Sequence, residues 1–251
     1  MSWHGNIFLD RGWLLYDGPV AATSAHAHHA LQIILSSHPP VDLMANAETV
    51  AVEAAAIPAD APHAFGSLAA RAVILYVAPE SRAGRHLAAR LPEKQTVASW
   101  VDAARPLRDL VRGPVDRWDE ARRINDAVLE RLVPSDHHAR PWPPAIQRLV
   151  AMLPARLDGE LRLGKLAQEL ELSESRLAHL IAEYLGVPFR SYVLWLRLQR
   201  AAAELAHGRT LTEAAHHAGF ADGAHLSRVF RRMFGIAPSE LSAFAQWHLP
   251  D

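Results

Sequence analysis

Leu166-Ala-Gln-Glu-Leu-Glu-Leu-Ser173 and Ala214-Ala-His-His-Ala-Gly-Phe-Ala221 state one pattern twice. Ala167 matches Ala215 and Leu172 matches Phe220, an offset of 48. Beyond the turn, Leu177, Ile181 and Gly186 match Leu226, Phe230 and Gly235, an offset of 49. One residue has been inserted at the turn, and the apolar skeleton otherwise recurs. Leu166, Ala167 and Leu170 have the spacing of one face of a short helix. Ser173 and Asp222 are natural N-caps for the helices that follow. Leu177, Leu180, Ile181 and Leu185 then form an apolar face ended by Gly186, a helix stop. Leu226, Val229, Phe230 and Phe234 do the same before Gly235. Each copy therefore reads as helix, turn, helix, the arrangement whose second helix can lie in the DNA major groove.

Between the copies, Phe189 to Ala206 carries Tyr192, Val193, Leu196 and Ala203 at helical spacing. A helix of that length spans roughly 27 Å. It can hold two recognition helices about one DNA turn, near 34 Å, apart. A generic helical bundle would explain the apolar faces but not the recurring turn residues and terminal glycines.

At these residues the chain resembles the AraC/XylS family of transcription regulators. The resemblance covers about residues 145–246 and is carried by Leu166 to Leu170, by Trp195-Leu-Arg-Leu-Gln-Arg-Ala201, and by Ala218-Gly-Phe-Ala-Asp-Gly-Ala-His-Leu-Ser-Arg-Val-Phe-Arg-Arg-Met-Phe-Gly-Ile-Ala-Pro-Ser239. Leu226 stands where the family often has an aromatic residue. Gly223 and Ala224 stand where it has polar ones, and Leu241-Ser242 follows where Arg is usual. The resemblance implies that Ser175, Ala178 and His179, with Arg176 beside them, face bases in the first recognition helix. In the second, Gly223, Ala224, His225 and Arg228 take those positions. Arg can bond a guanine edge in two places, and Ala can touch a thymine methyl. Arg228, His225, Arg176 and His179 are expected to carry most direct readout. Arg231 and Arg232 read as phosphate contacts, which position without specifying. For each arginine the competing reading is a solvated helix surface. His216 and His217 precede the turn and read as surface or packing residues.

Bulk charge adds little. Residues 142–251 sum to +1 and the preceding 141 residues to −2, counting His as neutral. DNA affinity must depend on where the arginines lie, and non-specific binding should be modest and salt-sensitive. Half of the 251 residues are apolar, enough for one large or two medium cores. No apolar run is long enough to span a membrane. The N-terminus shows no secretory signal, and cysteine is absent, which excludes disulfides and thiolate metal sites. These features lead us to expect a cytoplasmic protein without a membrane partner.

Leu132-Val-Pro-Ser-Asp-His-His-Ala-Arg-Pro-Trp-Pro-Pro144 holds four prolines in thirteen residues and reads as a linker. Its His137 and His138 are expected in solvent. Before it, Phe8-Leu9, Trp13 to Tyr16, Ala30 to Leu35, Thr49 to Val52 and Ala72 to Val77 are short apolar runs bounded by turn residues. They suggest a β-sandwich or small barrel. From about Ser81 the pattern turns helical, over Val101 to Val111 and Asp119 to Leu132. The Ala121–Leu132 stripe fits either a dimer contact or packing on the same chain. The expected class is thus α+β in two domains. It comprises a β-rich domain at 1–80, a helical extension at 81–133, a linker at 134–144 and an all-α double helix-turn-helix domain at 145–251.

His26-Ala-His28, Gln32 and His63 could form a site. Alternate residues on a strand point the same way, so His26 and His28 can converge while His29 faces away. The group resembles the cupin metal motif, and the AraC family's sensory domain is often a cupin-like barrel. That resemblance places all four residues in the barrel mouth. Three imidazoles could hold Zn²⁺, Ni²⁺, Fe²⁺ or another divalent ion. Gln32 replaces the usual Glu, however, and the motif's flanking glycines are missing. A metal-free pocket for an organic effector and a structural role are the other readings. His38 and His86 have no recognisable partner.

The reading that follows is a one-component regulator, not an enzyme. Its barrel senses a small molecule or divalent metal, and its helix-turn-helix units bind double-stranded promoter DNA. A homodimer and contact with RNA polymerase fit that role. The rivals are a metal-dependent, dioxygenase-like cupin enzyme with an appended helical domain, and a DNA-binding protein whose barrel only dimerises.

Overall fold

A computed structural model describes residues 3–36, 39–66, 70–91, 96–133, 141–242 and 245–250. His38 and most of the predicted linker, with His137 and His138, lie outside the described residues. The chain divides into two compact units, Met1–Ala139 with Ser227–Asp251, and Arg140–Leu226.

The first unit is built on two sheets. Strands β1 (Gly5–Asp10), β2 (Trp13–Pro19), β3 (Leu31–Ser36), β6 (Ala54–Ile57), β8 (Arg71–Val77) and β9 (Ala245–His248) form one, in the order β6-β3-β8-β2-β1-β9. Strands β4 (Val41–Ala45), β5 (Glu48–Val52) and β7 (Ala64–Phe65) form the other, in the order β5-β4-β7. The pleat sorts each central strand onto two faces. On β3, Leu31, Ile33 and Leu35 join one apolar cluster while Ile34 joins the other. On β8, Val73, Leu75 and Val77 part from Ile74 in the same way. Both faces are covered, which is why β3 reads as a continuous apolar run.

Helices α1 (Arg82–Ala88) and α3 (Trp118–Leu132) supply Leu87, Ala121, Ile124 and Val128 to the outer cluster. The α3 stripe is thus spent within the chain. Where a helix was expected over Val101 to Val111, α2 (Val97–Ala104) starts earlier and gives way to a 3-10 turn at Arg105–Leu107. Pro106 lacks the N–H that a continuing helix would need.

In the second unit, α4 (Pro144–Met152), α5 (Leu163–Glu169), α6 (Glu174–Leu185), α7 (Phe189–Ala206) and α8 (Leu211–His217) follow one another. Helices α5 and α6 form the first helix-turn-helix, with Leu177, Leu180, Ile181 and Leu185 buried on one face of α6. Helix α8 leads into α9 (Gly223–Phe234), and a short α10 (Pro238–Ser242) follows. The caps are as the sequence suggests. Ser173 Oγ accepts from the Arg176 N–H at 3.2 Å, and Asp222 Oδ1 from the His225 N–H at 2.6 Å. Gly186 ends α6 in the left-handed region at φ +77°.

The boundary between the units falls inside α9, between Leu226 and Ser227. Phe230, Phe234, Ile236 and Leu241 pack with the inner apolar cluster of the first unit, and β9 pairs in parallel with β1. A second-helix residue that buries its side chain there is held there.

The turn of the two motifs explains their shared pattern. Glu171 in the first copy and Gly219 in the second, 48 residues apart, both have positive φ, +58° and +79°. A Cβ on Gly219 would also lie 2.3 Å from Leu157 O and 3.0 Å from Arg197 Nε. Gly219→Ala is therefore expected to destabilise the helical unit by about 1–3 kcal/mol. Glu171→Gly, which relieves a left-handed non-glycine residue, should be neutral or stabilising by up to ~1 kcal/mol. Urea unfolding of the two variants checks this pair. Equal, small effects of opposite sign to these would reject the turn geometry.

Candidate functional site

The histidine cluster forms where an irregular segment meets the sheets. His26 and His63 make an isolated antiparallel bridge, each donating its N–H to the other's carbonyl at 2.9 Å. This brings their rings to a centroid separation of 4.4 Å. His28, two residues on, lies 5.7 Å from His26 and 5.3 Å from His63 by the same measure. Gln32 sits on β3 opposite Tyr76 of β8 and Ile57 of β6. All four predicted residues are buried, and one ring nitrogen of each histidine lies within 4.8 Å of those of the others. His29 turns away, its Nδ1 2.8 Å from Asp60 Oδ2.

Backbone carbonyls orient the three rings. His26 Nδ1 meets Ser24 O at 2.9 Å, His28 Nδ1 meets Ala30 O at 3.1 Å, and His63 Nδ1 meets Ala61 O at 2.9 Å. A carbonyl only accepts, so each Nδ1 carries the proton and each Nε2 keeps its lone pair when the ring is neutral. Burial holds them neutral. It lowers the pKa of His28 to about 4, with the neighbouring His26 adding to the effect. His26 is lowered by burial. His63 is pushed well down by burial first and then by His28 and His26.

Three imidazoles so grouped could hold a divalent ion, and two polar contacts of the cluster bear on that. His63 Nε2 is buried without a hydrogen-bond partner. His28 Nε2 stands 2.9 Å from Gln32 Oε1, so two lone-pair bearers face each other, while the Gln32 amide nitrogen is buried and unpartnered. Turning the amide end for end would satisfy the pair without an ion.

Sequence reasoning missed the walls. Phe234 stacks on His28 at 5.5 Å, Tyr76 meets the same ring edge-on at 5.2 Å, and Phe65 approaches His63 at 5.9 Å. Gly235 is fastened beside them: its carbonyl accepts from the Ser24 N–H and Oγ at 3.2 and 3.1 Å. A Cβ there would lie 2.8 Å from His26 Nδ1. These residues carry the apolar helix period and stop glycine already explained by the helix-turn-helix, so nothing further marked them.

The predicted DNA-facing residues occupy α6 and α9. Ser175, Arg176 and His179 are exposed, and Ala178 is half-buried. Ala224, Arg228, Arg231 and Arg232 are exposed, whereas Gly223 and His225 are half-buried. His225 packs edge-on against Phe220 of the turn at 5.3 Å. Arg231 lies 3.8 Å from Glu240.

A histidine whose folded pKa is depressed loses stability as acid protonates the unfolded chain first. His28 should therefore withdraw stability as pH falls from about 6.5 towards 4. Its ring proton resonance should titrate with a midpoint near pH 4. A midpoint at or above 6.5 would contradict the buried, neutral cluster.

Comparison with known proteins agrees with the repeat. The helix-turn-helix domain family matches residues 166–243. The transcriptional regulator GbdR of Pseudomonas aeruginosa is 32% identical over 119 residues, 47% of this chain and 32% of that protein. The arabinose operon regulatory protein of Escherichia coli is 33% identical over 95 residues, 38% of this chain and 32% of that protein. The chain thus spans about a third of the length of these relatives. A crystal structure of ToxT from Vibrio cholerae bound to an unsaturated fatty acid aligns over 94% of this chain and 96% of its own, with a TM-score of 0.57 at 14% identity. That likeness gives the fold: a sheet-rich region followed by a helical domain. The duplicated motif and the matched domain thus give residues 166–243 a helix-turn-helix domain similar to that of AraC-type transcription regulators.

Proposed function

We propose that this chain is a cytoplasmic transcription regulator that binds double-stranded promoter DNA and takes an effector at His26, His28, Gln32 and His63. The observation that carries it is the duplicated helix-turn-helix, with a left-handed turn residue and a capped second helix in both copies. The exposed faces of α6 and α9 offer Arg176, His179 and Arg228 to base edges, with Arg231 and Arg232 suited to phosphates. The relatives are regulators, which favours this reading over a dioxygenase-like enzyme. No helix among the described residues is long and apolar enough to cross a membrane. Ligand binding by ToxT, which shares the fold, supports an effector in the sheet-rich unit. Occupancy would act through its differential affinity for the DNA-competent state. A homodimer that contacts RNA polymerase completes the proposal.

Selection of random duplexes by the full chain, followed by anisotropy titration, tests this. Arg228→Ala should cost about 1–3 kcal/mol on the selected site and relax choice at one base pair. Arg232→Ala should weaken all sequences alike and reduce the salt slope by about 1. Selection that enriches no sequence would overturn the reading.

A further inference from the structure

We infer that Arg197, turned inward from α7, is a positioning residue for DNA binding: it fixes the spacing and phase at which the two helix-turn-helix motifs meet the duplex. The inference rests on the DNA-binding reading above and assigns its geometry to a side chain outside both recognition helices.

Length alone does not set that geometry. Helix α7 has 18 residues, or roughly 27 Å, against about 34 Å for one DNA turn. Beyond it the chain bends at Gly208, whose φ is +79°, before α8 begins at Leu211. One base pair of misfit shifts a motif by about 3.4 Å and turns it by about 35° around the duplex. The second motif therefore needs a contact that fixes its rotation, away from its junction with α7.

That contact lies near the middle of α7, within the Arg140–Leu226 unit. Arg197 is half-buried, and its Nη2 donates to the Leu157 carbonyl at 3.3 Å. A Cβ on Gly219 would stand 2.3 Å from that carbonyl oxygen and 3.0 Å from Arg197 Nε. The turn of the second motif thus rests its backbone directly on the pair. Phe220 follows, buried, with its N–H on Ala215 O at 2.9 Å, and α9 begins at Gly223. The neighbours of Leu157 reach the other elements. Arg156 Nη1 donates to Glu169 Oε2 of α5 at 2.7 Å, and Asp158 pairs with Arg200 of α7. Residues 156–158 therefore join the first motif, the connecting helix and the turn of the second.

The chemistry of arginine suits the position. Its planar guanidinium presents N–H groups in fixed directions, so the bond from Nη2 to one carbonyl also orients the edge that Gly219 approaches. An aliphatic side chain of similar length would fill the space and leave Leu157 O and the turn free to slide. Burial lowers the pKa of Arg197, and its Nε is buried without a hydrogen-bond partner, so the group is held inward at a cost. Arg176, Arg228, Arg231 and Arg232 are exposed instead, as groups that meet DNA directly must be.

The test uses the full chain and the duplex enriched by selection, rebuilt with one base pair inserted or deleted between its two half-sites. Wild type should bind the selected separation about tenfold or more tightly than either neighbour, as two rigidly joined sites do. Arg197→Met should narrow that preference to about twofold, chiefly by weakening the selected separation. Arg197→Lys keeps the charge without the fork and should narrow it as well. Arg228→Ala should weaken all three duplexes alike and keep the preference. Circular dichroism and urea unfolding establish that each variant folds. If Arg197→Met does not, Asp158→Asn, which breaks the neighbouring pair with Arg200 at an exposed carboxylate, should narrow the preference by a smaller factor. An unchanged preference in the folded variant, or an equal loss on all three duplexes, overturns the inference. Wild-type binding that is indifferent to separation also overturns it and leaves the regulator reading standing. Selection that enriches no sequence sinks the regulator reading, and this inference with it.

Discussion

Phe234, stacked on His28 at 5.5 Å, joins the end of α9 to the imidazole cluster. A phenylalanine on the apolar face of a recognition helix would ordinarily pack against its own motif. Here Phe230 and Phe234 join the inner cluster with Ile34, Ile74 and Ile236, and the Gly235 carbonyl takes two hydrogen bonds from Ser24. Helix α9 is strongly amphipathic, so one stripe can be buried while Arg228, Arg231 and Arg232 stay in water. The side chains that pack and the arginines that face solvent are different residues of one helix.

The histidines are held by a compromise between burial and polarity. Burying three imidazoles is tolerable because each is neutral and each Nδ1 is paired with a carbonyl. The Nε2 atoms are not all satisfied, and His63 Nε2 has no partner at all. A core selected only for stability would replace such a group with a leucine or phenylalanine of similar volume, at little or no cost.

Much of this was legible in the sequence, for reasons specific to each part. Helix α7 matches the expected span because Pro188 precedes Phe189 and no breaker interrupts the apolar period to Ala206. The histidines could be paired because alternate residues share a face. Strand β6 was missed because Ala54-Ala-Ala-Ile57 has little strand propensity, and pairing with β3 decides its conformation. Helix α1 was missed because its seven residues carry only Leu87 and Gly84 into the interior. Strand β9 was missed because four residues beside a strand 240 positions earlier leave no local signal.

The cover of the cluster was the least legible part, and the reason is general. Phe230, Phe234 and Gly235 satisfy the helix-turn-helix pattern completely, so the pattern leaves nothing over to suggest a second use. Only the packing shows that the residues ending α9 also wall the imidazoles. Where one residue serves two constraints, the sequence displays the stronger periodicity and conceals the other. The same holds at Gly235, where φ of +72° requires glycine as a helix stop, and the 2.8 Å approach to His26 Nδ1 requires it again for space. The first requirement is common to both copies of the motif. The second belongs to the copy that meets the histidines, and it ties the end of that helix to the site.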